Sequence, residues 1–469
     1  MNRQTIAPDY RTAAGLCPQG EAPEIATRNA CKVCSPLGAA MVFKGIRGCL
    51  PFLHGSQGCA TYIRRYLISH FREPVDIASS SFTEDDAIFG GAKNFTAGLL
   101  NVQQQYQPEL IGVATTCLSE TIGENMLGMI QAYKKEQQPG DAPLIHVSTP
   151  AYNGTHSDGF ATAVQEVIRA LVPASAETRA NRVNILPAMM SCADLRHLRE
   201  MAAAFDLEAT LLPDYSDTLE GTGWDQYHRM SPGGTSVEEI SQMGEAAGTL
   251  ELGHLRAEKR TSASGDLQER SGVPRHALGW PMGIRLTDEF VTSLATCANK
   301  VMPDSLRRAR GRVVDAYVDG HKYLSGRTAA VYGEPDLVVA LAAFLSEVGI
   351  RPILCATGAK VRDWQKLVTS QVEGNTEDIQ ALQGVDHARV SQCCRDHKPD
   401  LLVGSSKGYP LARELEIPLL RLGFPIHDRF GAQRQLTVGY EGTLSLFDQL
   451  VNIFLDEKQE TSLTGNSYQ

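Results

Sequence analysis

A repeated rhythm limits what this chain can fold into: short apolar runs, each stopped by glycine, proline or a polar residue, alternate with helix-length segments. In the last third, Thr328-Ala329-Ala330-Val331-Tyr332-Gly333 is followed by a helical segment from Pro335 to Gly349 and by Arg351-Pro352-Ile353-Leu354-Cys355-Ala356. Asp400-Leu401-Leu402-Val403-Gly404-Ser405 and Pro418-Leu419-Leu420-Arg421-Leu422-Gly423 repeat the pattern. The middle does so with Arg182-Val183-Asn184-Ile185-Leu186, a helical segment from Asp194 to Phe205, and Ala209-Thr210-Leu211-Leu212-Pro213-Asp214. Nearer the N-terminus stand Leu110-Ile111-Gly112-Val113-Ala114-Thr115-Thr116 and Pro143-Leu144-Ile145-His146-Val147. Apolar strands alternating with helices form βαβ units around parallel sheets. The expected fold is α/β, with three Rossmann-like, doubly wound parallel-sheet domains spanning residues 1–180, 181–310 and 311–469. Glu258 to Ser271, rich in Arg, Ser and Glu, is expected to be an exposed loop or a helix edge.

Composition excludes several functions. At 469 residues, 42% hydrophobic and 21% charged, the chain can bury ordinary cores. A formal net charge of -10 argues against nucleic-acid binding, which normally needs a basic face. No stretch of about eighteen apolar residues could span a bilayer. Met1-Asn2-Arg3-Gln4-Thr5 and its continuation lack the apolar core of a signal peptide, so a cytoplasmic protein is expected. Eleven cysteines are too few for a disulfide scaffold and cannot all pair internally. In a reducing compartment they are buried small hydrophobes, metal ligands or catalytic thiols.

The familiar enzyme signatures are missing. The sequence has no G-x-x-x-x-G-K-[ST] phosphate loop, no G-x-G-x-x-G opening a helix after a strand, and no G-x-S-x-G elbow. In open parallel sheets, ligands gather beyond the carboxyl ends of strands. That rule points to Thr115-Thr116-Cys117 and to Gly404-Ser405-Ser406-Lys407.

Three cysteines have suggestive surroundings. Cys34 lies in Cys31-Lys32-Val33-Cys34-Ser35-Pro36-Leu37-Gly38-Ala39, Cys59 closes His54-Gly55-Ser56-Gln57-Gly58-Cys59, and Cys117 precedes Leu118-Ser119-Glu120-Thr121-Ile122-Gly123. Nearby glycine, proline or a strand end lets backbone approach a bulky inorganic cluster, for which thiolates are the usual ligands. Simple packing stays open for each, because free cysteine is commonly just buried. Cys31 and Cys34 form a C-x-x-C pair, but no second pair or spaced histidines accompany it, which argues against zinc. Cys393-Cys394 lies in a helical, charged context, and Cys17, Cys49, Cys192, Cys297 and Cys355 offer no spacing argument; all are expected to pack. His70-Phe71-Arg72-Glu73-Pro74 and Ser81-Phe82-Thr83-Glu84-Asp85-Asp86 suggest solvated loops. Gly423-Phe424-Pro425-Ile426-His427-Asp428-Arg429 suggests an interface or ligand-facing loop, in which His427 could equally be structural.

Taken together, Cys34-Ser35-Pro36-Leu37-Gly38-Ala39, His54-Gly55-Ser56-Gln57-Gly58-Cys59, His70-Phe71-Arg72-Glu73 and Phe89-Gly90-Gly91 resemble nitrogenase component-one β-type subunits in order and spacing. Thr115-Thr116-Cys117 with Glu120, Gly423-Phe424-Pro425 with Asp428-Arg429, and Gly439-Tyr440-Glu441-Gly442 extend the likeness over nearly the whole chain. The resemblance implies three Rossmann-like domains and an α2β2 heterotetramer with an α-type partner. It also implies that Cys34, Cys59 and Cys117 supply the β-side thiolates of a P-cluster, an eight-iron, seven-sulfur cluster shared with that partner. Electrons would come from an ATP-hydrolysing iron protein and pass to a catalytic cofactor held by the α-type subunit. The missing phosphate loop agrees with a separate ATPase.

The likeness has departures. Where molybdenum nitrogenase β-subunits carry serine in a Thr-Pro-Ser context, this chain has Thr149-Pro150-Ala151, and alanine cannot donate an alkoxide. The chain is expected to lack their long N-terminal extension. The segment from Pro213-Asp214-Tyr215-Ser216 through Gly233-Gly234-Thr235 to Met243-Gly244 is closer to the assembly-scaffold branch. The resemblance therefore implies a nitrogenase-like reductase, with carbon–sulfur reduction of methylthio-alkanes as a candidate activity. The alternative is the β-type scaffold half of the cofactor maturase, which would hold a four-iron cluster. A light-independent protochlorophyllide or chlorin reductase subunit fits the His54 to Cys59 and His70 to Glu73 motifs less well.

Overall fold

A computed structural model describes residues 31–137, 140–174, 179–257 and 262–462. Cys17 and the N-terminal segment lie outside the described residues. The first sheet contains β1 (Cys49–His54), β2 (Ala78–Ser79), β3 (Leu110–Thr115) and β4 (Leu144–Val147) in the order β2-β1-β3-β4. The second contains β5 (Arg182–Leu186), β6 (Glu208–Leu211), β7 (Thr249–Leu252) and β8 (Arg275–Leu278) in the order β6-β5-β7-β8. The third contains β9 (Thr328–Gly333), β10 (Arg351–Thr357), β11 (Gln380–Leu382), β12 (Leu401–Gly404) and β13 (Leu419–Arg421) in the order β11-β10-β9-β12-β13. Every pairing is parallel. The chain thus has the expected three doubly wound α/β layers. Each order reverses once, between β1 and β3, β5 and β7, and β9 and β12, leaving a crevice at those strand ends.

Seven helices accompany the first sheet: α1 (Ser35–Lys44), α2 (Gln57–Phe71), α3 (Glu84–Phe89), α4 (Ala92–Tyr106), α5 (Cys117–Ile122), α6 (Met126–Glu136) and α7 (His156–Leu171). Pro36 starts α1 with its φ already suited to a helix and no amide hydrogen to lose. All ten residues of α1 are buried, so it is a core helix with no solvent face. Leu37, Met41, Val42 and Phe43 are each removed from water, on the order of 1.5–3 kcal/mol apiece. α1 lies directly on α7. A Cβ at Gly38 would come 1.8 Å from the His156 carbonyl oxygen, and one at Gly159 would come 2.0 Å from that of Ser35. Backbone-to-backbone contact this close requires glycine on both helices.

Three contacts tie the layers together. Gly45, after α1, accepts at its carbonyl from the Asp214 and Thr235 amides. The segment from Asp214 to Thr235 is therefore a clamp on the far end of α1. Buried Asp194 accepts from the Thr437 amide at 2.6 Å and its hydroxyl at 2.9 Å, joining the second layer to the C-terminal helix Gly439–Thr461. The third tie is the loop after β13. The Ile426 amide donates to His70 Nδ1 at 3.0 Å, Arg72 donates to the His427 carbonyl at 3.0 Å, and the Phe424 ring lies against Tyr66, His70, Phe71 and His156.

The stretch around Glu258 to Ser271 corrects the sequence expectation of a loop or helix edge. Residues 258–261 lie outside the described residues, but Ala263–Ser271 is a helix capped by Ser262, with Ala263, Ser264, Gly265 and Leu267 buried. Its small residues pack inward while Arg270 and Glu269 dominate a composition count. Among the described residues, no helix is long and apolar enough to cross a membrane.

Candidate metal centre at the first switch point

The crevice between β1 and β3 is where the first sheet reverses direction. β1 ends at His54 and turns through Gly55 into α2; β3 ends at Thr115 and turns through Thr116 into α5. Cys59 sits in the first turn of α2, and Cys117 is the first residue of α5. Cys34 is the N-cap of α1. All three sulfurs therefore stand at helix N-termini, where unpaired amides and the helix dipole favour a thiolate.

The turns are pinned to each other. The Thr116 amide and hydroxyl both donate to the His54 carbonyl, at 3.2 and 3.1 Å. Gly55 makes room: a Cβ there would lie 2.1 Å from Thr116 Oγ1. On the other side, the Val33 amide donates to His156 Nδ1 at 3.3 Å and the His156 amide to the Val33 carbonyl at 2.9 Å, fixing the approach to Cys34 against α7. Ser56 Oγ donates to the Cys59 sulfur at 3.7 Å.

The three thiols share one electrostatic environment. Cys34 and Cys59 are half-buried and Cys117 is exposed. Burial pushes the Cys34 thiol up to about 12, the Leu37 amide opposes this, and Cys59 and Cys117 add to the rise. Thiolates gathered this way repel one another unless a cation compensates them. Among the described residues, no three His, Cys, Asp or Glu side chains converge tightly enough for a single metal ion. A donor set made of thiols alone, spread over three helix starts, suits the soft iron of a polynuclear cluster better than a mononuclear ion.

The remaining sequence candidates fall outside this centre. Cys31 is buried against Gly358 and the third layer, among Tyr332, Cys393 and Cys394. Cys49, Cys192 and Cys355 are buried, as expected of packing residues. Cys297 is only half-buried and lies 3.6 Å from His276 Nε2. His70 is buried, its imidazole held neutral at about 3 by burial. His427 Nδ1 meets Ser69 Oγ at 2.6 Å, which makes it a structural histidine of the loop after β13. Thr83 and Asp86 form the cap of α3. At the third switch point, Lys407 lies over the Tyr66 ring and Ser406 Oγ donates to Asp428 at 2.5 Å, while the Tyr332 hydroxyl fills the crevice beside Ser405 and the Gly408 amide.

Sequence reasoning assigned no role to two carboxylates beneath the cysteines. Glu120 accepts from Thr115 Oγ1 and from Ser148 Oγ, and Glu124 accepts from the Gly91 amide at 2.6 Å and faces His54 Nε2 at 3.7 Å. Burial holds His54 neutral, at about 4, despite Glu124. The Phe89-Gly90-Gly91 motif carried a trace of this, since Gly91 is the donor to Glu124.

Among the described residues, the cavity where the three layers converge is small. Met41, Phe71, Met189, Trp280, Leu337 and Phe424 leave about 40 Å³ there. A cleft of about 770 Å³ opens between the helices Gly283–Ala298 and Asp304–Leu324 and is lined by no residue of the first layer. Its charges are already satisfied: Arg310 is bidentate to Asp288, and Glu347 accepts from Tyr317 Oη and two amides.

The fold is that of an α/β protein with three parallel-sheet layers, the first of which carries three thiols at helix starts. The chain belongs to the nitrogenase component 1 type oxidoreductase family, whose model matches residues 34–455, and within it to the β type. It is 34% identical over 434 residues to the nitrogenase molybdenum-iron protein beta chain of Clostridium pasteurianum, covering 92% of this chain and 93% of that one. The beta chain of Methanothermobacter marburgensis is 36% identical over 440 residues, 91% of this chain and 94% of that one. A chain of the solved nitrogenase Cp1 at pH 6.5 superposes with a TM-score of 0.88 at 33% identity, covering 95% of this chain and 97% of that chain.

Proposed function

We propose that this chain is the β-type subunit of a nitrogenase-like reductase, in which Cys34, Cys59 and Cys117 bind an iron–sulfur cluster shared with an α-type partner in an α2β2 assembly. The observation that carries this reading is the placement of three thiols on three helix N-termini around one switch point. When bound, a P-type eight-iron cluster would supply one-electron storage between an ATP-hydrolysing iron protein and a catalytic cofactor in the partner. This chain's residues do the rest: three helix starts favour the thiolates, α1 and α7 shield Cys34 from water, and Ser56 offers a hydrogen bond to the Cys59 sulfur. The filled junction of the three layers supports placing the catalytic cofactor in the partner. Ile88 and Phe89 on α3, 74% and 84% exposed, and Leu127 on α6, 70% exposed, give this end of the molecule an apolar surface suited to protein partners. The three-domain division near residues 180 and 310 belongs to the same proposal.

Carbon–sulfur reduction of methylthio-alkanes is the candidate chemistry, motivated by Ala151 in place of an alkoxide-forming serine. Two measurements test the proposal. Iron counting with electron paramagnetic resonance on the purified complex is expected to show an eight-iron interface cluster, lost in Cys59→Ala and kept in Cys394→Ala; a four-iron cluster would instead indicate the assembly scaffold. The iron-replete complex, supplied with reductase, dithionite and ATP, is expected to release methane or ethylene from methylthio compounds. No product would remove the carbon–sulfur assignment.

A further inference from the structure

The helix that presents Cys117 is unusually poorly anchored by apolar packing. α5 has six residues, and only Ser119 among them is buried; Leu118 is 37% exposed and points no large side chain into the core. A helix this short does not hold itself together in water. Its attachment is polar. The Thr116 amide donates to Ser119 Oγ at 3.0 Å, and Ser119 Oγ donates back to the Thr116 carbonyl at 3.0 Å. These bonds close only the first turn.

Glu120 provides the tie to the rest of the layer. Its Oε1 accepts from Thr115 Oγ1, at the end of β3, and from Ser148 Oγ at 2.5 Å, just past β4. Thr115 in turn holds the next strand's exit: the Thr149 amide donates to Thr115 Oγ1 at 2.9 Å, and Thr149 Oγ1 donates to the Thr115 carbonyl at 2.6 Å. One carboxylate, in the first turn of α5, thus gathers the ends of two neighbouring strands under the helix. Hydrogen bonds to a charged acceptor are roughly twice as strong as neutral ones, so this contact outweighs the others on the helix.

We propose that Glu120 is the positioning residue for Cys117: by drawing the hydroxyls at the ends of β3 and β4 together, it fixes the axis of α5 and therefore where the Cys117 sulfur stands. This deepens the cluster reading and rests on it for the functional consequence, but the effect on α5 is a property of this chain alone. The short axial lever matters because the other two thiols, on α1 and α2, sit on helices anchored by buried side chains, leaving α5 as the adjustable arm of the set.

The test uses the full chain prepared without iron, followed by the iron-loaded complex. Hydrogen exchange read by mass spectrometry is expected to quicken about tenfold or more across residues 115–124 in Glu120→Ala, with the α1 peptide unchanged. Glu120→Gln keeps an acceptor oxygen but loses the charge and should fall between wild type and Glu120→Ala, and Ser148→Ala, at an exposed position, should move the same peptide in the same direction but less than Glu120→Ala. In the loaded complex, Glu120→Ala is expected to retain iron while shifting the cluster's midpoint potential and resonance line shape. Wild-type exchange at 115–124 in both Glu120→Ala and Ser148→Ala would overturn the proposal, as would quickened exchange that spreads equally into α1. Full iron in Cys117→Ala would sink the cluster reading instead, and leave the exchange result standing on its own.

Discussion

The helices behind Cys34 and Cys117 carry equivalent thiols by opposite means. α1 is buried on every side, pressed on α7 through Gly38 and Gly159, and clamped at its far end by the Asp214 and Thr235 amides. α5 lies at the surface with one buried residue and is held by hydroxyls and a carboxylate. Under the proposed cluster reading, the buried helix would make one ligand immovable and part of the molecule's stability, while the polar-strapped helix would place another at little cost to stability.

That comparison can be broken by substitution. Gly159→Ala should be the most damaging, because the new Cβ meets backbone 2.0 Å away and neither helix can yield cheaply; a loss of about 3 kcal/mol in denaturant unfolding is expected. Phe424→Ala should follow at about 2–3 kcal/mol, since it removes the ring that joins the third layer to α2 and α7. Leu118→Ala on α5 should cost less than about 1 kcal/mol, because that side chain is already 37% exposed. If Leu118→Ala proved as costly as Gly159→Ala, the contrast between the helices would be wrong.

The smallest effect should come from a charged latch remote from both. His197 lies between Glu200, at 3.2 Å, and Glu441 on the C-terminal helix, at 3.3 Å, with Arg312 acting on Glu441. Burial lowers its pKa, but the two carboxylates more than offset this and leave it raised. A raised imidazole pKa contributes stability in full below its unfolded value, about pH 6.5, and loses it as pH climbs through the folded value. His197→Gln should therefore flatten part of the stability profile from pH 6 upward, by less than about 1 kcal/mol, without changing exchange in α5. An unchanged profile would mean that the latch contributes nothing.

Much of this was legible in residues read one after another. Thr328 to Gly333 and Leu401 to Gly404 announced strands because a parallel sheet covered on both faces demands unbroken apolar runs, and Pro335 announced the helix that follows. The strand-end rule led to Cys117 for the same physical reason that it led to Ser406, but Ser406 meets Asp428 and its neighbour Lys407 lies over the Tyr66 ring. Ala263–Ser271 was misjudged because a helix of small buried residues with charged ends has the composition of a loop.

By itself, then, the sequence determined the layer architecture and nominated the three sulfurs, since strand and helix patterns and N-terminal positions are local properties of the chain. What only the tertiary structure decided was which groups hold those sulfurs in place. Glu120 meets Ser148 and Gly38 meets His156 across separations of 28 and more than a hundred positions, where sequence spacing carries no signal. The filled junction likewise depends on Phe424 reaching back to a helix more than three hundred residues earlier. Hydroxyl-to-carboxylate straps and backbone contacts at glycine are made by three-dimensional proximity, and proximity is what folding supplies.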